Sequence, residues 1–320
     1  LIQRVEPPFS RFRDRLDPKV ADWVFPYDSA SRFDIALLGA PLSKTSISHS
    51  AAFRLPDAIR ALFHSYSPYS VHHQMDLSER LRVADLGNVQ MHLTDLALCQ
   101  KWIEDAVYSY GETHAQPLVL LGGDHSITGA ALLGLTRATK RTYGVIHFDA
   151  HHDVRNLEDG GRSNGTPFRT LLDSGAIAGR HVVQIGIRDY VNAKAYHAYV
   201  VQEGVTVVTA RQVFRTGLAQ VLEEAYAHVS KETDGVYVSF DMDVLDQSFV
   251  PGVPAPGPGG LTVWDALEAL EWLGAKSNVQ AVDFVCADPA QDVRDFTTRV
   301  ATNLLLAFLA GKSLAKGANV

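Results

Sequence analysis

The stretch from Tyr143 to Arg155, reading YGVIHFDAHHDVR, runs from an apolar segment straight into a cluster of side chains able to bind a metal. Val145, Ile146 and Phe148 read as a buried strand. Of the five residues from Asp149 to Asp153, four carry metal-binding groups. Asp149, His151 and Asp153 are spaced by two, so a continued strand would point all three to one face. Carboxylates and imidazole make a poor core and a good cradle for a divalent cation. From this stretch alone, a solvated acidic loop fits equally well.

Two further stretches favour the cradle. Val236 to Leu245 is another apolar strand, ending in Asp241 and Asp243, again two apart. A carboxylate among apolar neighbours is costly unless it is paired or binds a metal. Pro117 to Ile127 is a third, ending in Gly122 and Gly123, with His125 where a following helix would start. The three strand ends supply His125, Asp149, His151, Asp153, Asp241 and Asp243. Six ligands exceed one tetrahedral site and suit two neighbouring ions that share bridging carboxylates. Hard oxygens with two imidazoles and no thiolate favour Mn²⁺ over zinc, leaving Fe²⁺, Co²⁺, Ni²⁺ and Zn²⁺ open.

Apolar runs alternate with helical periodicity along the chain, which predicts a mostly parallel sheet covered by helices on both faces. Residues 1–33, with Pro7, Pro8, Pro18 and Pro26, read as an irregular N-terminal arm with at most a short helix. Residues 34–320 read as one catalytic domain, because the metal motifs are spread through the whole of that stretch and no linker interrupts it. Leu81–Gly87 is expected as an edge strand, Val213–Val229 as one amphipathic helix and Thr297–Ala310 as the C-terminal helix. The segment 251–260, PGVPAPGPGG, reads as a rigid loop over the site.

The words Gly122–Ser126 (GGDHS), Asp149–Asp153 (DAHHD) and Ser239–Asp243 (SFDMD) resemble, in order and spacing, the three metal motifs of the ureohydrolase (arginase/agmatinase) superfamily. The similarity runs from about Asp34 to the C-terminal helix. It implies an α/β fold, a three-layer αβα sandwich around a mostly parallel sheet. It also implies two Mn²⁺ per subunit and a homo-oligomer. By resemblance, Asp149 and Asp241 bridge the ions, His125 and Asp153 hold one, and His151 and Asp243 hold the other. Asp153 is then the candidate catalytic carboxylate, passing a proton to the leaving nitrogen. His147 is expected in a supporting or core role, and His152 on the opposite side.

Substrate choice turns on departures from the family pattern. Asn164–Pro167 (NGTP) stands where arginases and many agmatinases carry His-Gly-x-Pro, so the titrating His is replaced by Asn164. Arg155 stands where arginine-specific members carry Asn. A guanidinium there can clamp a carboxylate, or simply be solvated. Arg155, Arg162 and Arg169 together suit a dianionic amino acid better than a cationic amine. Leu42–Ser50, Asp153–Gly161 and Arg294–Arg299 resemble the formimidoylglutamase branch, implying hydrolysis of N-formimidoyl-L-glutamate to L-glutamate and formamide in histidine breakdown. Cys286 stands where relatives carry Glu against the guanidinium or amidine. A thiol is a weak partner for a cation, so either Asp288 or a loop residue substitutes, or the substrate differs, or activity is low. A small buried side chain is the favoured reading of Cys286, with substrate contact as the other. Two further functions stay open: an agmatinase- or arginase-like guanidino-acid ureohydrolase, and a metal-binding relative with little turnover, suggested by Cys286 and Asn164.

The remaining bounds are mild. The net charge is −7 and no basic patch is interleaved with aromatics, which argues against nucleic acid. No apolar run approaches the ~18 residues needed to span a membrane. Leu1–Pro8 has no signal-like apolar core. Cys99 and Cys286 read as reduced thiols. A cytoplasmic enzyme acting on a small amidine or guanidino acid is the expectation.

Overall fold

The computed structural model describes residues 13–317. Its strands in chain order are β1 (Phe25–Pro26), β2 (Ile35–Gly39), β3 (Tyr69–Ser70), β4 (Met75–Asp76), β5 (Val83–Asn88), β6 (Leu118–Leu121), β7 (Tyr143–Phe148), β8 (Val182–Ile187), β9 (Thr206–Thr209), β10 (Gly235–Asp241) and β11 (Val279–Val285). β3 and β4 form a small hairpin. The other nine make one sheet in the order β1-β5-β2-β6-β11-β10-β7-β8-β9. Every pairing within it is parallel.

Parallel strands are joined by crossover helices, which cover both faces and leave the strands apolar on both sides. Along β10, Val236, Val238 and Phe240 pack with the helices Leu218–Ser230, Val263–Gly274 and Phe296–Gly317. Tyr237 faces the other layer, with Leu96–Thr113, Ser126–Thr139 and Pro167–Asp173. Helix ends follow local chemistry: Asp95 accepts from Leu98 N, and Thr262 accepts from Asp265 N. This is the expected three-layer αβα sandwich.

Three expectations differ from the structure. β5 is interior, because β1, at residues 25–26 of the predicted arm, pairs along its outer side. The rest of the arm in view holds one helical turn, Val20–Trp23, and its first twelve residues lie outside the described residues. The helix expected at Val213–Val229 is two, Ala210–Thr216 and Leu218–Ser230. They break at Gly217, whose φ of +89° has no place in an α-helix. The C-terminal helix extends through Gly317. Among the described residues, no helix is long and apolar enough to cross a membrane.

Candidate metal centre

The central strands β6, β11, β10 and β7 are neighbours, so the residues just beyond their carboxyl ends meet at the crevice where ligands of open α/β sheets bind. After β6 the chain turns through Gly122 and Gly123 to His125, which immediately precedes the helix Ser126–Thr139. A Cβ on Gly123 would lie 1.7 Å from the Leu42 carbonyl oxygen, so only glycine lets the turn close against that loop. Asp241 ends β10, and Asp243 sits in the single 3₁₀ turn that follows.

The alternation expected of Asp149, His151 and Asp153 is not how they converge. β7 ends at Phe148, and the chain then bends. His151 N donates to Asp149 Oδ1 at 2.6 Å, Ala150 N donates to Asp243 Oδ1 at 3.2 Å, and Asp153 takes a left-handed φ of +51°. Backbone amides drawn to the carboxylates bring the group together. His147, still within the strand, does obey alternation: it lies on the side of Asp149, with Nε2 2.8 Å from Asp149 Oδ2.

His125 Nδ1 lies 3.0 Å from Asp149 Oδ2, 2.9 Å from Asp153 Oδ2 and 3.2 Å from Asp241 Oδ2. Yet this buried nitrogen makes no well-formed hydrogen bond. One nitrogen can donate to at most one oxygen. Three carboxylates around it, with no geometry for donation, are what a shell arranged around a cation looks like. A second group stands beside it: His151 Nδ1 is 3.3 Å from Asp149 Oδ1 and 3.0 Å from Asp243 Oδ2. Asp149 faces one group with each oxygen, as a bridging ligand would. All six predicted ligands therefore gather in two linked sets that fit hard divalent ions.

Without cations the charges conflict. Burial, then Asp243 and Asp149, pushes the Asp241 carboxyl up to about 8. Burial and Asp149 likewise raise Asp153, to about 6. Burial opposes charge on His125, but Asp149, Asp153 and Asp241 outweigh it and draw its pKa well up.

The centre rests on residues that the sequence reading did not single out. Ser239 Oγ meets His125 Nε2 at 2.9 Å and donates to Asp283 Oδ1 at 2.9 Å. Asp283 is fully buried and also accepts from Thr128 Oγ1, Tyr237 Oη and Phe240 N. A charged residue inside the apolar run Val279–Val285 was the available signal. On the other side, Asp124 accepts from Thr45 and Ser126, tying the 42–50 loop to the turn before His125.

The predicted substrate residues fare unevenly. Asn164 Oδ1 accepts from Ile47 N at 2.9 Å, so it joins two loops at the site's mouth. Arg155 is exposed, its side chain against Gly165, and Arg162 is exposed on the same loop. Arg169 is turned away, paired to Asp173 and lying over the Tyr199 ring. Cys286 is more than filler: its sulfur, His125 and Asp241 bring ligating atoms within 4.8 Å of one another. Burial, then Asp241 and Asp243, pushes its thiol well up, so it stays protonated. Asp288 cannot replace the missing Glu, because it accepts from Ala51 N, Ala290 N and Gln291. His152 does point away from the ligands, to Gln184. Beside His151 a groove of about 970 Å³ opens, floored by Arg188 and roofed by Pro256–Gly260. Arg188 donates to the Gly257 and Asp243 carbonyls, fastening the roof to the centre.

Residues 33–311 match the model of the arginase family. The chain is 46% identical to formimidoylglutamase of Halalkalibacterium halodurans, over 95% of each chain. It superposes on the crystal structure of formimidoylglutamase from Bacillus subtilis with a TM-score of 0.93 at 39% identity, covering 98% of this chain and 97% of that one. A variant of Trypanosoma cruzi formiminoglutamase solved with Mn²⁺ gives a TM-score of 0.84 at 25% identity, covering 93% and 98%.

Proposed function

The chain belongs to the arginase family, and from that premise we propose that it hydrolyses N-formimidoyl-L-glutamate to L-glutamate and formamide. Water adds to the formimidoyl carbon, and the bond from that carbon to the glutamate nitrogen breaks. The observation that carries a metal-dependent route is His125 Nδ1, buried and unpartnered among three carboxylate oxygens. We assign His125, Asp149, His151, Asp153, Asp241 and Asp243 as the ligands of two Mn²⁺. When bound, such ions polarise a shared water and lower its pKa toward neutrality.

The chain's own groups do the rest. Asp153 is the carboxylate placed to take a proton from the adding water and pass it to the departing glutamate nitrogen. Arg155 and Arg162 face the substrate's carboxylates at the mouth. At the two positions just after β11 where a partner for a guanidinium was expected, none is free, since Cys286 is neutral and Asp288 is occupied. That favours a formimidoyl group over a guanidino group. The same reading places the reaction in histidine breakdown, in the cytoplasm, in a homo-oligomer whose catalytic domain spans residues 34–320.

The test is a substrate panel on purified Mn²⁺-loaded protein. Formamide release from N-formimidoyl-L-glutamate, well above urea release from arginine, agmatine or guanidinobutyrate, is expected. Faster urea release would move the assignment to a guanidino acid, and silence on all four would leave a binding protein. Asp149→Ala should abolish metal uptake and turnover together.

A further inference from the structure

His147 and Gln184 are partners across the neighbouring strands β7 and β8. The Gln184 amide nitrogen lies 2.9 Å from the His152 carbonyl oxygen and 3.1 Å from His147 Nδ1. A carbonyl oxygen only accepts, so its contact fixes which end of the amide is nitrogen. The two amide hydrogens are then both placed, one on each neighbour. His147 Nδ1 must be the bare nitrogen, and its ring proton sits on Nε2, from which it donates to Asp149 Oδ2 at 2.8 Å.

The chain continues outward. Gln184 Oε1 accepts from His152 Nδ1 at 2.6 Å. That leaves His152 Nε2 to accept from Nδ1 of the exposed His197 at 3.1 Å. Four hydrogen bonds thus run head to tail from the surface to Asp149, and each polarises the next. His147, His152 and Gln184 are buried. The His147 ring is also stacked on Phe168 at a centroid distance of 4.0 Å, which fixes its plane. Burial holds His147 down to about 4, in keeping with a neutral ring that donates from one nitrogen only.

We propose that Gln184 is a positioning residue of the metal centre. It fixes the tautomer and tilt of His147, and His147 in turn holds the Asp149 carboxylate so that each oxygen faces one of the two ligand groups. Asp149 needs such a hold because its two oxygens face different groups. Neither Gln184 nor His152 touches a reacting atom; both act through His147. The inference rests on the proposed metal centre and deepens it.

The test is calorimetric Mn²⁺ titration of metal-free protein, with its thermal midpoint recorded alongside. Gln184→Met and His147→Phe should each weaken Mn²⁺ binding about 10- to 100-fold, the usual cost of losing a group that orients a ligand. The double variant should bind no more weakly than His147→Phe alone, because the two residues act in series. His147→Gln, whose amide N–H can replace Nε2–H, should recover most of the affinity. Wild-type affinity in Gln184→Met, or additive losses in the double variant, would overturn the proposal. If Gln184→Met does not fold, the pair at His147 decides: equal affinity of His147→Phe and His147→Gln overturns it. Wild-type protein that takes up no Mn²⁺ would bring down the metal centre itself, and this hold with it.

Discussion

Ser239 Oγ stands 2.9 Å from His125 Nε2 and donates a hydrogen bond to Asp283 Oδ1 at 2.9 Å. With its oxygen committed as donor to Asp283, Ser239 can only accept from His125. That puts a His125 proton on Nε2 and leaves Nδ1 as the nitrogen that would meet a cation among the carboxylates. His125 and Asp149, two of the proposed ligands, are thus oriented from behind, one by Ser239 and the other by His147.

Ser239→Ala removes the acceptor for His125 Nε2–H without adding bulk in a packed interior. Mn²⁺ affinity and kcat/KM should fall together by about 10- to 100-fold. Calorimetry and initial rates check this. An unchanged Mn²⁺ affinity would show that His125 needs no such partner.

Both cysteines should be inert in the native protein. Cys99 is fully buried and Cys286 nearly so, and the acidic neighbours of Cys286 disfavour its thiolate. The thiolate is the reactive form. A chromogenic disulfide reagent at about pH 8 should therefore find no fast-reacting thiol in folded protein and both thiols after unfolding. Rapid labelling of Cys286 in the native state would mean that the site's mouth admits reagents this structure excludes.

The pH dependence of stability has a visible source in Lys312. Its ammonium donates to the Lys276 and Val279 carbonyls at 3.0 Å each, with no carboxylate partner. Burial draws its pKa from 10.5 down to about 8. A depressed lysine favours the folded state when neutral. Below about pH 8 the cost of holding the charge is present in full. Between about pH 8 and 10.5 the unfolded chain binds a proton that the folded chain does not, so stability rises with pH. Lys312→Met should be more stable relative to wild type at about pH 7 than at about pH 10, measured by urea unfolding. The two lost hydrogen bonds weigh on the variant at both values, so the difference between them is what decides. An equal offset at both would remove Lys312 from the account.

What the sequence made legible follows from residue type. Acids and imidazoles at the ends of apolar strands are conspicuous, so the six residues proposed as ligands could be named in advance, and their side chains converge. Ser239, Gln184 and Asp283 were overlooked because their roles exist only across strands. Ser239 meets Asp283, and Gln184 meets His147, by the register of parallel neighbours that are distant in sequence. The spacing argument for Asp149, His151 and Asp153 named residues that do gather, by a route the chain does not take, since the strand stops at Phe148. The pairing of β1 with β5 was equally hidden, because two residues of strand leave no periodicity to read.

In the proposed reaction Arg155 is the residue assigned to meet a substrate carboxylate. Its backbone N donates to Gly165 O at 2.9 Å, and its side chain lies against Gly165, where an added Cβ would come within 2.8 Å of its Cδ. The Asn164–Ile47 hydrogen bond fixes the adjoining loop junction. The backbone is therefore anchored while the guanidinium remains exposed and able to meet an anion. An exposed charge-assisted contact is worth about 1.5 kcal/mol, roughly tenfold in affinity. Arg155→Ala should raise KM for N-formimidoyl-L-glutamate by about tenfold with kcat nearly unchanged, the pattern of lost uniform binding. Arg155→Lys keeps the charge but loses the fork, and should fall between the two. A fall in kcat with KM constant would instead place Arg155 at the reacting carbon, and no change in either would assign carboxylate recognition to other groups at the mouth.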